Sequence, residues 1–235
     1  MQGPDSPPFG IGSLQLTADD LSTDKVTLVT DAFDGRPIAE LEALSYWTYR
    51  DGSSTSAGHV VPSINIFITN AGPDGEVTWA PLVWEPIYPF GAGAITDGIW
   101  QQWDTMAESE TNLAGGWWST RALGAICAFD CFVSWETVQE ENPHATIIVA
   151  GSGAGAVGIN LGRGPGGSFL GAADGLLLTM DGATTTFDFE PKALEKGECK
   201  DGGWRNLTDG EGRPFVNQGD CVSYFASEGR TRRPR

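Results

Sequence analysis

Leu176-Leu177-Leu178-Thr179-Met180-Asp181-Gly182-Ala183-Thr184-Thr185-Thr186-Phe187-Asp188-Phe189 reads as two strands folded about a two-residue turn. Asp-Gly between two β-prone runs is a strong hairpin signal, because both turn positions need positive φ and these residues tolerate it. On the second run Phe187 and Phe189 alternate with Thr186, Asp188 and Glu190, the period-two pattern of a strand with one buried face. The same alternation runs through residues 63–69, where Ile64, Ile66 and Ile68 face one way and Asn65, Phe67 and Thr69 the other. Working outward, further strand-like runs cover residues 12–17, 25–30, 44–50, 76–85, 99–104 and 145–150, separated by clusters of Gly, Pro, Asp and Asn. Many short strands predict a sandwich or barrel. One short helix is expected over 135–141, capped by Ser134 and stopped by Asn142-Pro143.

Composition agrees with that class. Of 235 residues, 32 are Gly and 14 Pro, and only 19% are charged, which argues against a helical bundle or coiled coil. Nine Trp, eleven Phe and 40% hydrophobic residues supply a core and exclude wholesale disorder. The net charge of −17 opposes binding to nucleic-acid phosphates, and the one basic cluster, Arg230, Arg232, Arg233 and Arg235, is short and terminal. No apolar run is long enough to span a membrane. Residues 1–10 carry no secretion signal, and a signal removed on export is the expectation, because the cysteines point to an oxidising compartment.

The four cysteines divide into two local pairs, Cys127 with Cys131 and Cys199 with Cys221, and are read as two disulfides. Buried free thiols and a zinc site are the alternatives, the second weakened by the lack of Cys-x-x-Cys and of any ligand-like spacing to His59 or His144. The texture changes after Pro191, so residues 1–191 are read as a β-sandwich domain and 192–235 as a small module stapled by its own cysteines.

Catalytic signatures are sparse. Gly153-Ala154-Gly155-Ala156-Val157-Gly158 matches a dinucleotide fingerprint, but the Gly- and Pro-rich sequence after it cannot supply the helix that the fingerprint requires. No Gly-x-Ser-x-Gly elbow exists. Glu85, Asp104 and Glu190 each end a strand beside an aromatic ring, where burial could raise a carboxyl into the general-acid range of a sandwich glycosidase or lyase. No catalytic residue is assigned on that basis. Loop aspartates such as Asp19, Asp20, Asp24 and Asp174 would suit a structural calcium; no cofactor is required.

The aromatics are more informative. In residues 44–50 parity puts Tyr46 with Leu44 on one face and Trp47 with Tyr49 on the other, and Trp79/Trp84, Trp100/Trp103 and Trp117/Trp118 repeat the double-sided pattern. Rings on both faces of a sheet mean a covered outer face or an aromatic groove for sugar stacking. Trp47, Tyr49, Trp84, Trp100, Trp103 and Trp117 are the candidate stacking rings, with Gln102 and Asp104 for hydroxyls.

Two segments resemble known families. Residues 169–178 with the following hairpin resemble the closing strands of jelly-roll carbohydrate-binding modules, and residues 10–16 resemble their first strand. The likeness implies a jelly-roll antiparallel sandwich, and it implies that Asp174 holds a structural calcium or a loop. Cys199-Lys200-Asp201-Gly202-Gly203-Trp204 and Asn217-Gln218-Gly219-Asp220-Cys221-Val222-Ser223 resemble a C-terminal module of secreted bacterial proteins, which supports export and the disulfide. The combined expectation is a secreted, non-catalytic glycan-binding module whose partner is an extracellular glycan or surface polymer. A self-associating structural or adhesive protein is the alternative, and a sandwich hydrolase or lyase the second.

Overall fold

The computed structural model describes residues 4–148, 156–162, 164, 166–193 and 195–227. Its strands, in chain order, are β1 (Leu14–Ala18), β2 (Lys25–Thr30), β3 (Leu41–Arg50), β4 (Ser63–Thr69), β5 (Ala80–Trp84), β6 (Trp100–Asp104), β7 (Trp117–Ser119), β8 (Thr146–Ile147), β9 (Val157–Gly162), β10 (Phe169–Met180) and β11 (Ala183–Phe187). One sheet has the order β1-β10-β3-β6, with β11 also on β10; the other has β2-β9-β4-β5-β7, with β8 on β4. Early strands therefore pair with late ones, β1 with β10 and β2 with β9, while the chain crosses several times between the sheets. This is the wrapping of a jelly roll, and the expected all-β antiparallel sandwich is what forms.

The deciding hairpin is present. Met180 pairs with Ala183 and Leu176 with Phe187, and the turn residues Asp181 and Gly182 have φ of 50° and 70°. Along β10 the first half pairs with β1 and the second half with β11, so the strand changes partner near Asp174 and Gly175. The register against β3 also shifts there. Gly175 has φ of +54°, and a Cβ at this position would lie 2.3 Å from the Phe9 ring.

Ile64, Ile66 and Ile68 are completely buried between the sheets, but Asn65 and Phe67 on the other face are buried as well, so β4 is covered on both faces rather than on one as expected. An aromatic chain fills the same core: Tyr46 meets Trp84 edge-on at 6.0 Å, and Trp117 meets Trp135 at 4.8 Å. Their polar atoms are satisfied inside, with Trp117 Nε1 donating to the Thr105 carbonyl and the Tyr46 hydroxyl to the Pro62 carbonyl.

Helix Trp135–Glu141 forms with Ser134 as its cap. The expectation of a single helix is corrected at two places. Pro86 starts a one-turn helix, Ile87–Phe90, and in the C-terminal region Gln218–Ala226 is helical. Asn217 caps this last helix by accepting from the Asp220 N–H, while Asp220 accepts from Val216, so a reciprocal cap overrides the β-prone Val-Ser-Tyr-Phe run. Two other boundaries move: the 76–85 run narrows to Ala80–Trp84, and within 145–148 only Thr146–Ile147 is strand. Residues 149 and 150, the first half of the glycine motif at 153–158 and the basic tail lie outside the described residues.

Both cysteine pairs are disulfides, Cys127–Cys131 and Cys199–Cys221, and no described cysteine is free. The second ties a separate small cluster of Cys199, Phe215 and Cys221, against which Trp204, Leu207 and Tyr224 pack.

Candidate functional site

The double-sided aromatic pattern is real, and one member of each pair is interior. Trp84, Trp103 and Trp117 are 1%, 5% and 0% exposed, so these three candidate stacking rings are core and cannot meet a glycan. Each lies on the strand face turned toward the opposite sheet. Their partners Trp79, Trp100 and Trp118 lie on the other parity and are half-buried.

The remaining candidates gather on the outer face of the sheet containing β3 and β6. Trp47 stands opposite Gln102, Tyr49 opposite Trp100 and Ser45 opposite Asp104, with the Tyr49 and Trp100 rings 5.6 Å apart. The N-terminal segment is tied across this sheet. Trp100 Nε1 donates to the Pro4 carbonyl, the Phe9 N–H donates to Asp174 Oδ2, and the Ile11 and Gly12 N–H groups donate to Glu190 Oε1. Asp174 and Glu190 thus act as anchors for the entering chain.

Burial pushes the Asp174 carboxyl up to about 7, against the N–H bonds from Phe9 and Gly175 and with help from the nearby charges of Glu190 and Asp188. Because the folded value lies above the unfolded one, neutral Asp174 stabilises the fold. That contribution is complete below about pH 4 and is lost as pH rises through about 7. The thermal midpoint is expected to fall between these limits, and Asp174→Asn to flatten part of the fall; parallel melting curves for the two proteins would refute this.

The other sheet carries a groove of about 670 Å³ on its outer face. Its floor follows from register. Asn65 on β4, Val83 on β5 and Trp118 on β7 stand side by side, and Gly158 on β9 lies opposite Asn65. In the next row Thr27 donates to Asn160 Oδ1, and Asn160 Nδ2 donates to Ser63 Oγ. Asn65 lines the groove, and its Oδ1 accepts from Ser63 Oγ.

Rings form the walls. Tyr88 stacks on Phe132 at 3.8 Å, and Trp118 lies 6.1 Å from Phe129. Trp79 is less open, with Phe67 stacked at 6.0 Å and the Arg121 guanidinium 5.1 Å from its ring. Phe129 is 57% exposed, has φ of 70° and sits inside the loop closed by Cys127–Cys131. That short disulfide therefore fixes one aromatic wall.

At one side of the groove is Glu85, directly after β5. Trp118 Nε1 donates to its Oε2 at 3.2 Å, and the Tyr88 side chain lies close enough to affect its charge. Burial raises its pKa, and these two side chains only partly offset that effect. Glu85 is the sole carboxylate among the described residues lining the groove.

The three acids weighed for hydrolysis do not converge. Glu85 lines this groove, Asp104 is exposed on the opposite sheet and accepts from the Met106 N–H, and Glu190 holds the N-terminal segment. The loop aspartates considered for calcium are engaged within the protein. Both Asp174 oxygens accept backbone N–H groups, Asp24 accepts from Asp19 and Asp20, and no three metal-ligating side chains cluster among the described residues. No described helix is long and apolar enough to cross a membrane.

The sequence singled out Glu85 as a possible acid and the alternating parity of Trp79/Trp84 and Trp117/Trp118, but not Tyr88, Phe129, Phe132 or Asn160. Phe129 carried a signal, since a large ring between closely spaced cysteines is held outward. A comparison with protein-family models, curated proteins and solved structures finds no match to this chain.

Proposed function

We propose that the protein is an extracellular, non-catalytic glycan-binding module and that the groove over β4, β5, β7 and β9 is its binding site. The observation that carries this reading is the side-by-side placement of ring faces and amide groups in an open groove. Trp118 and Tyr88 offer apolar faces to a sugar ring, and Asn65 and Glu85 offer hydroxyl partners, the combination that sugar recognition needs. The two disulfides support an oxidising, extracytoplasmic setting. Among the described residues lining the groove Glu85 is the one carboxylate, so a mechanism needing two acids finds no second partner among them.

Affinity electrophoresis in gels cast with different polysaccharides tests this. Retardation in at least one gel is expected, without release of reducing sugar, and Trp118→Ala and Tyr88→Ala are each expected to weaken it by about tenfold or more. Trp47→Ala, on the other sheet, is expected to leave it unchanged. Equal retardation of all four proteins, or none in any gel, would reject the groove as a glycan site.

A second reading, self-association, has one observation behind it. β2 pairs only with β9, and Leu28 and Val29 on this edge strand are 42% and 39% exposed. Sedimentation velocity over a hundredfold range of concentration would reveal it; an unchanged monomer peak would count against it.

A further inference from the structure

Resting on the groove as a glycan site, we infer that its preferred ligand carries a cationic ammonium, as in an amino sugar with a free amine, and that Glu85 receives that group. Glu85 is largely shielded from water and lines a groove, yet no Lys, Arg or His of the described residues forms an ion pair with it. Among the described residues its side-chain donor is the neutral Trp118 Nε1, with Tyr88 close by, while Lys25 and His59, which also line the groove, form no ion pair with it. Carboxylates in such surroundings are ordinarily paired, because removing the charge from water leaves it uncompensated. Trp118 and Tyr88 both line the groove beside Glu85, so an ammonium on Glu85 lies against rings whose faces attract cations.

The fold already contains one such contact at the groove wall, the Arg121 guanidinium 5.1 Å from the Trp79 ring. Across the groove Asn65, Asn160 and Ser63 supply neutral hydroxyl partners on adjacent strands, and a net charge of −17 draws cationic chains toward the surface. A neutral sugar would use the same amides but leave Glu85 without a counter-charge. The chemistry is therefore that of a ring with one ammonium substituent and several hydroxyls, rather than of a fully N-acetylated or plain glucan chain.

Isothermal titration calorimetry separates this from general charge attraction. Glucosamine oligomers, the N-acetylated oligomers of equal length and a neutral glucan oligomer are titrated into the intact protein and into Glu85→Gln, Asp104→Asn and Trp118→Ala. Glu85→Gln and Asp104→Asn change net charge equally, but Asp104 is exposed on the opposite sheet. The glucosamine oligomer is expected to bind about tenfold tighter than its acetylated form, with the preference lost in Glu85→Gln and kept in Asp104→Asn.

A preference that survives Glu85→Gln, or that falls equally in both variants, would overturn the assignment. Trp118-dependent binding of the acetylated or neutral oligomer, as tight as that of the amine, would also overturn it while leaving the groove as a glycan site. Heat of binding with none of the oligomers would remove both. Far-ultraviolet circular dichroism and a thermal midpoint on each variant ensure that any loss is read from folded protein.

Discussion

Trp117→Ala is expected to lower the unfolding free energy by about 3–5 kcal/mol, while Trp118→Ala, one residue later, lowers it by about 1 kcal/mol or less and abolishes ligand retention. The two neighbours differ through strand parity alone. Trp117 is fully buried, packs on Trp135 at 4.8 Å and donates its Nε1 hydrogen to the Thr105 carbonyl. Truncation would leave a cavity the size of an indole between two sheets that cannot close over it, and would orphan a buried carbonyl as well.

Trp118 stands on the outer face beside Val83, half-buried, with Phe129 and Glu85 as neighbours. Its removal opens the groove to water and leaves the core untouched. In a chain of this size the first change corresponds to a fall of roughly 10 °C in the midpoint and the second to a small one. Thermal unfolding and affinity electrophoresis on the same two variants check both halves. If Trp118→Ala unfolds the protein as readily as Trp117→Ala, the outer ring is structural and the groove loses its main platform.

Replacing Cys199 and Cys221 together by Ser is expected to unfold the C-terminal region while the sandwich stays folded. Among the described residues the buried hydrophobic side chains of that region are Cys199, Phe215 and Cys221, too little apolar surface to offset the entropy of ordering its loops. Cross-linking positions 22 residues apart contributes about 3 kcal/mol by restricting the unfolded chain. The sandwich has its own continuous core of more than thirty buried residues and does not depend on this staple.

Limited trypsin digestion should therefore cut the double variant at Lys192, Lys196, Lys200 or Arg205 far faster than the parent. The main thermal transition should move by only a few degrees. The contacts between the two regions are few: the Thr208 N–H donates to the Pro191 carbonyl, and Gly212 approaches Asp188 and Glu190. A main transition that falls with the digestion resistance would mean that these contacts make one cooperative unit of both.

Much of the architecture was legible in the residues. The Asp181-Gly182 turn, the core face of Ile64, Ile66 and Ile68, the Ser134 cap and the cysteine spacings each report a local rule, and each feature forms as read. The last helix was obscured because its cap, Asn217 with Asp220, precedes residues of strand propensity. The start of the chain carried no readable sign of its role as a strap, since it is held by Asp174 and Glu190 from positions 165 and 178–179 residues away.

The sequence by itself determined that rings lie on both faces of several strands, because side chains alternate with the backbone pleat and nothing else can change that. Which face met the opposite sheet was decided only by the fold. Parity separates Trp117 from Trp118 and Trp84 from Glu85, but it is symmetric between inside and outside. The symmetry is broken when the two sheets close on each other, burying Trp84, Trp103 and Trp117. The same fold brings Glu85 and Tyr88, from the segment after β5, together with Phe129, from the loop closed by Cys127–Cys131, into one groove.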